Sequence, residues 1–314
     1  MKNAVYYVML FAVILTWGID PVINSLFYEH YSATALVTMA TLLSSIMFFL
    51  VSLKKLKQLN RRYFAVAVPI CGLNSIACVL QRIGLQYTTP ASYAFLEQLA
   101  CVVVPIALFL FTRKKPTVIQ YAASAICLVG CFILSGLGSE GGFALGVGDI
   151  LCAIAGILLG LCIAATGVYA KGFDIGLYML VHMSVYFTVS LTSAIGLNFI
   201  TKGGVPLEKL VFSLDVGILI PAALFSLFSV GVCWLLRTEA LRNINPTFVA
   251  ISSPLSAVIT GIVSLILGLD KLTLSFAIGS VLIVLAMTLS ALPEKTKAQS
   301  VMTRRCSYKQ SSVF

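Results

Sequence analysis

Leu80–Leu134 reads LQRIGLQYTTPASYAFLEQLACVVVPIALFLFTRKKPTVIQYAASAICLVGCFIL, and Leu236–Ser290 reads LRTEALRNINPTFVAISSPLSAVITGIVSLILGLDKLTLSFAIGSVLIVLAMTLS. A shift of 156 positions lays one on the other without a gap. Ten of the 55 positions are identical, among them Leu85/Leu241, Pro90/Pro246, Leu99/Leu255, Lys115/Lys271 and Ser124/Ser280. Two apolar segments share several residues by chance, so the order of parts carries more weight. Each copy runs from an apolar helix end through a short turn to a proline. A long apolar run, a charged turn and a second apolar run follow.

The rest of the chain has the same character. Of 314 residues, 60% are hydrophobic and 10% charged, against about 25% charged in a soluble globule. Such a chain cannot cover itself with polar surface. Apolar runs near ~20 residues indicate spanning helices, not the short alternating strands of a barrel. Glycine, proline and charges divide the chain into ten spans: 4–27, 33–53, 63–86, 91–112, 117–137, 147–170, 176–200, 213–242, 247–268 and 272–292. The first follows a single lysine, Lys2, and has no convincing cleavage site, so it reads as a retained span. The fold class expected is all-α integral membrane, ten helices in two five-helix halves, 1–140 and 141–292, with a basic tail at 293–314.

The net charge of +10 sits in loops and tails, where it sets topology and does not signal nucleic acid. Counting alternate sides gives sixteen Lys and Arg on the side of the N-terminus and three on the other, Lys202, Lys209 and Lys271. Arg82 and Arg237 lie close to span ends and belong to neither count. The bias assigns both termini to the cytoplasm. Five spans per half is odd, so the halves enter the membrane in opposite directions. Inverted repeats of this kind surround a central site that rocking exposes to either side in turn.

Eight of the nine cysteines lie in apolar runs and read as small buried packing residues. No G-x-x-x-x-G-K-[ST] or H-E-x-x-H occurs, and the only histidines are His30 and His182. A nucleotide-driven pump, a histidine metal centre and membrane-embedded catalysis therefore have no sequence support. No cofactor is expected. A receptor or scaffold would need exposed domains that ten short-looped spans do not leave.

Polar residues inside spans mark cavities or partners, because a charge at the bilayer centre costs at least ~2.5 kcal/mol. Span 1 carries Trp17, then Asp20-Pro21 and Asn24. Pro21 removes a backbone hydrogen bond and can free carbonyls toward a cavity; a polar helix end is the plainer alternative. Span 3 carries Asn74, Gln81 and Arg82. Span 4 carries Tyr93 and Glu97 one turn apart on one face. Glu97 reads either as a cation- or proton-binding carboxylate or as the structural partner of an arginine. Span 8 carries Trp234, Arg237 and Glu239. Trp17, Asp20, Asn24, Asn74, Gln81, Tyr93, Glu97 and Trp234 are the expected substrate-binding set. Arg82, Arg237 and Glu239 are expected to snorkel, gate or form ion pairs. The site is expected between spans 1, 3 and 4 and their counterparts 6, 8 and 9. His182 reads as a packing residue, and Gly156 and Gly160 as a close helix contact.

Trp17-Gly18-Ile19-Asp20-Pro21, Gly84 to Pro90 before span 4 and Ala240 to Pro246 before span 9 together resemble the EamA-type branch of the drug/metabolite transporter superfamily. Glu97-Gln98 and Ser253-Pro254 fall where that family often has Glu-Pro, and Gly268 to Leu272 resembles its glycine-glutamate-arginine turn. The first copy of that turn, Thr112 to Pro116, lacks the acid. The resemblance implies a secondary transporter of small organic metabolites or drugs. The solute expected is amino-acid-like or amphiphilic, exported by proton antiport or exchange. The alternative is import or facilitated passage of a cationic solute such as a quaternary amine. The expected partners are that solute, the lipid bilayer and protons, with no nucleic acid, in a monomer or homodimer of the cell membrane. A reporter fused after Phe314 should read as cytoplasmic; an external reading overturns both the topology and the inverted arrangement.

Overall fold

The computed structural model describes residues 4–135 except Gln86 and Thr89, then 146–199, 201–202, 205–206, 208–268 and 272–291. The tail 293–314, the boundary at 140/141 and the turn at 269–271 lie outside the described residues. Within them the chain is a bundle of ten helical spans. Nine are long and apolar enough to cross a membrane, and Val118–Leu134 is a shorter apolar helix. In order they are span 1 (Ala4–Ser25), span 2 (Ala33–Ser52), span 3 (Arg61–Leu85), span 4 (Pro90–Glu97 and Ala100–Thr112), span 5 (Val118–Leu134), span 6 (Val147–Tyr169) and span 7 (Ile175–Phe199). Span 8 comprises Val216–Ser226, a π turn Leu227–Val232 and Cys233–Asn243; span 9 Pro246–Ser252 and Leu255–Ile266; span 10 Leu274–Ala291. A two-residue antiparallel pair, Thr201–Lys202 with Val205–Pro206, follows span 7.

Span ends are set by side chains that satisfy the first free backbone donors. Ser32 accepts from Ala35 N, Asp215 from Gly217 N and Asn245 from Thr247 N. Thr117 and Gln120 form a capping box at span 5. Pro246 occupies the first turn of span 9, where its missing N–H is no loss.

Three spans are interrupted inside the bundle. Span 9 breaks at Ser253–Pro254 because Pro254 cannot donate to the preceding turn, and Ser256 and Ala257 fall back on bonds to Ser253 and Pro254 three residues before. Span 4 breaks at Gln98–Leu99 with no proline present: Gln98 donates to Phe95 O and Leu99 to Leu96 O. The two breaks occupy nearly aligned positions of the 156-residue shift. Irregular backbone at this depth is tolerated only where protein or a cavity surrounds it.

Glycines set how closely the spans approach. A Cβ at Gly18 would lie 2.6 Å from Ile259 Cβ and 3.0 Å from Ser256 O. A Cβ at Gly160 would lie 2.7 Å from Val103 Cβ and 3.2 Å from Ala100 Cα. Val103 and Ile259, like Ala100 and Ser256, are aligned by the shift, so span 1 seats on span 9 as span 6 seats on span 4. Span 5 packs on span 10 and span 2 on span 7. One apolar cluster joins spans 1, 4, 6, 8 and 9 through Ile14, Val104, Ile163, Leu241 and Val249.

Gly156 is the tightest contact with rigid backbone in span 6: a Cβ there would meet Leu96 O at 2.3 Å. Gly156→Ala should therefore destabilise the protein by about 1–3 kcal/mol. Gly72→Ala, with nothing within 4 Å of the added Cβ, should leave the melting temperature unchanged or raise it. Equal melting of the two variants would contradict this packing.

Candidate functional site

Span 1 presents Trp17, Asp20 and Asn24 on one face. Asn24 Nδ2 donates to Asp20 Oδ2 at 2.6 Å, and Ser229 Oγ donates to Asp20 Oδ1. Trp17 Nε1 donates to Ser229 O at 3.0 Å. Ser229 lies in the π turn of span 8. The wider turn re-aims backbone groups that an α-helix would keep for itself, a common device at functional sites. Asp20, half-buried on the cavity wall, is thus held by oriented donors.

These side chains border a cavity of about 430 Å³. Of the expected substrate-binding set, the cavity brings together Trp17, Asp20, Asn24, Gln81, Tyr93, Glu97 and Trp234. Spans 2 and 7 supply part of its wall through Val37 and Tyr186, which the sequence reading left out. A second space of about 150 Å³ adjoins it and shares Trp17, Cys78, Gln81, Glu97 and Trp234 as walls. This inner space is bordered by spans 1, 3, 4, 6, 8 and 9, the six expected.

Aligned residues of the two halves meet around the inner space: Cys78 with Trp234, Gln81 with Arg237, Glu97 with Ser253, and Ala100 with Ser256. Trp17 and Trp234 lie 5.7 Å apart between ring centroids. The Arg237 guanidinium sits 5.3 Å from the Trp17 ring and 5.2 Å from the Trp234 ring. Only 5% of Arg237 is exposed, so it does not snorkel to the span end. Its depth was misread because Arg242, nearer that end, carries the boundary charge.

Asn74 stands apart from the larger cavity, in a small recess with His182, Trp234 and Arg237. His182 is buried and packs edge-on against Trp234 at 5.2 Å. Glu239 borders neither space; it pairs with Arg242 at 2.9 Å and accepts from Asn243. The Arg82 side chain lies outside the described residues. Ser229, Cys78, Tyr186 and the serines of the span 9 break are wall residues the sequence reading did not single out. Cys78 was legible as the aligned position of Trp234.

The end of the bundle carrying loops 53–60 and 170–174 is tightly packed. Tyr63, Phe173, Leu177 and Tyr178 belong to one apolar cluster there, and Arg242 Nη2 donates to Phe173 O at 2.7 Å. Lys55 Nζ reaches Asp174 at 2.6 Å. That hydrogen bond holds the Asp174 carboxyl below its ordinary range. The clasp contributes stability above the unfolded carboxylate pKa and loses it as pH falls through the lower folded value. With Lys55 half exposed, solvent screens the contribution.

The described residues thus form a multi-pass helical membrane bundle around a cavity lined by polar and aromatic side chains. Residues 4–136, which hold the first five spans, match the model described as the EamA-like transporter family, a family of membrane transporters of small solutes within the drug/metabolite transporter superfamily. The fold is also similar to that of a solved structure titled "Crystal structure of protein", with a TM-score of 0.70 at 14% identity over 91% of this chain and 96% of that one. No curated protein matches the chain.

Proposed function

We propose that this protein is a secondary transporter in which halves 1–140 and 141–292 form inverted repeats and expose the shared cavity alternately to the two sides. The observation that carries the reading is the inner space between aligned residues of both halves. The nearly aligned helix breaks and the matched glycine seats of spans 1 and 6 support it. Both termini face the cytoplasm of the cell membrane. The solute is amino-acid-like or amphiphilic, and transport is outward, coupled to protons by antiport or exchange.

Asp20 and Glu97 are the acidic groups of the cavity wall. Asp20 is held by Asn24 and Ser229, whereas Glu97 stands at the helix break between the larger and the inner space. Glu97 is therefore the proton- or cation-binding carboxylate. Tyr93, Trp17 and Trp234 favour an aromatic or amphiphilic body, since indole faces attract both rings and cations. The same aromatic and acidic lining favours a second reading, import or facilitated passage of a quaternary amine.

Glu97→Gln keeps the shape and removes the titration. In liposomes the variant should fold and insert but lose the pH dependence of transport or the preference for positive solutes. If Glu97 only braces Arg237, the change should cost about 3–5 kcal/mol of stability and leave the pH profile of residual transport intact. Normal stability with a normal pH profile removes Glu97 from the site.

A further inference from the structure

We infer that Arg237 binds the carboxylate of the transported solute, with Gln81 supplying a further hydrogen-bond donor at the inner space and Asn74 standing behind the guanidinium in the adjoining recess. Among the described residues, Arg237 makes no hydrogen bond and no ion pair; the ion pairs there are Lys55–Asp174 and Arg242–Glu239. Its Nε is buried without a partner, as is Asn74 Nδ2, and Gln81 Nε2 makes no hydrogen bond of normal geometry although the Glu97 carboxylate is within its reach. Gln81 and Asn74 are themselves 6% and 3% exposed. Each of these unpaired atoms is a donor. Buried polar groups are normally paired; Glu97 is the one carboxylate on the same wall, and the donors it leaves unpaired call for a ligand that brings further acceptors.

The two tryptophans explain how the cation is kept uncommitted. Trp17 and Trp234 flank the guanidinium from one side, at 5.3 and 5.2 Å, and neither ring offers an oxygen acceptor to its N–H groups, which keep their fixed fork. That fork matches the two oxygens of a carboxylate. The adjoining space of about 150 Å³ exceeds several-fold the ~10–15 Å³ that a cavity needs to hold one water, enough for a carboxylate and the carbon that bears it. Charge is ordered along the path: Asp20 in the larger cavity, Glu97 on the shared wall, Arg237 at the inner end. A zwitterion enters with its amine toward the acids and its carboxylate inward.

This inference rests on the reading of the cavity as a solute site, and the test separates the two. The probes are L-phenylalanine, its decarboxylated amine phenethylamine, and 3-phenylpropionate, titrated calorimetrically into the purified full chain. Wild type should bind L-phenylalanine about tenfold or more tightly than the amine, and should also bind 3-phenylpropionate. Arg237→Gln should erase that preference and leave the amine within about twofold, a change too small to count as a lost charged contact. Arg237→Lys keeps the charge without the fork. It should remain folded and still weaken L-phenylalanine about fivefold. Equal wild-type affinity for acid and amine, equal weakening of both by Arg237→Gln, or an unaffected Arg237→Lys overturns the inference. So does stabilisation by chloride when no carboxylate binds, which would make this a free-anion site. Exchange of a solute lacking a carboxylate, with no binding of the acids, upholds the transporter reading and sinks this one.

Discussion

Hydrocarbon offers no hydrogen bonds, and the organisation of this protein follows from that constraint. Every backbone break and every charge inside the bundle must find its partner in protein or in a cavity. The π turn of span 8 and the breaks of spans 4 and 9 therefore occur where helices converge, and none stands alone against lipid-facing surface. The Ser229 carbonyl takes the Trp17 indole N–H, and the Ser229 hydroxyl serves Asp20. Arg237 rests against two indole rings. Removing the Trp17 indole or the Ser229 hydroxyl leaves an acceptor with one donor fewer in a medium that cannot replace it.

Much of the architecture was legible from hydropathy and punctuation. All ten spans were delimited within a few residues, because turn residues and charges are expelled from the hydrocarbon. The paired prolines at 90 and 246 marked helix starts correctly. Span interruptions were less legible. Ser253–Pro254 carries its own explanation in Pro254, but the break at Gln98–Leu99 has no proline and depends on span 6, whose Gly156 abuts the Leu96 carbonyl. Single-sequence periodicity contains no record of such a neighbour. The π turn is likewise invisible in the composition of Leu227–Val232.

The site divides the same way. Intramembrane polar residues identified seven of the groups that meet at the larger cavity, since the cost of burying them restricts them to such places. Spans 2 and 7 contribute apolar and aromatic wall, which no polar signal could reveal. Arg237 was read as a boundary residue from its distance to the span end. Its interior position follows from the layer beneath it, where Arg242, Glu239 and Phe173 form the boundary. The alignment of Gln81 with Arg237 was already visible in the sequence, and the two meet across the inner space.

The proposed mechanism makes one demand that neither a closed pore nor a receptor would meet: the shared cavity must carry solute between both sides. Counterflow measures this directly. Purified protein is placed in liposomes loaded with unlabelled L-phenylalanine, and trace labelled L-phenylalanine is added outside. The account predicts transient accumulation of label above its equilibrium level, absent from protein-free liposomes. Label that enters no faster than into protein-free liposomes, for a solute shown to bind, contradicts alternating access.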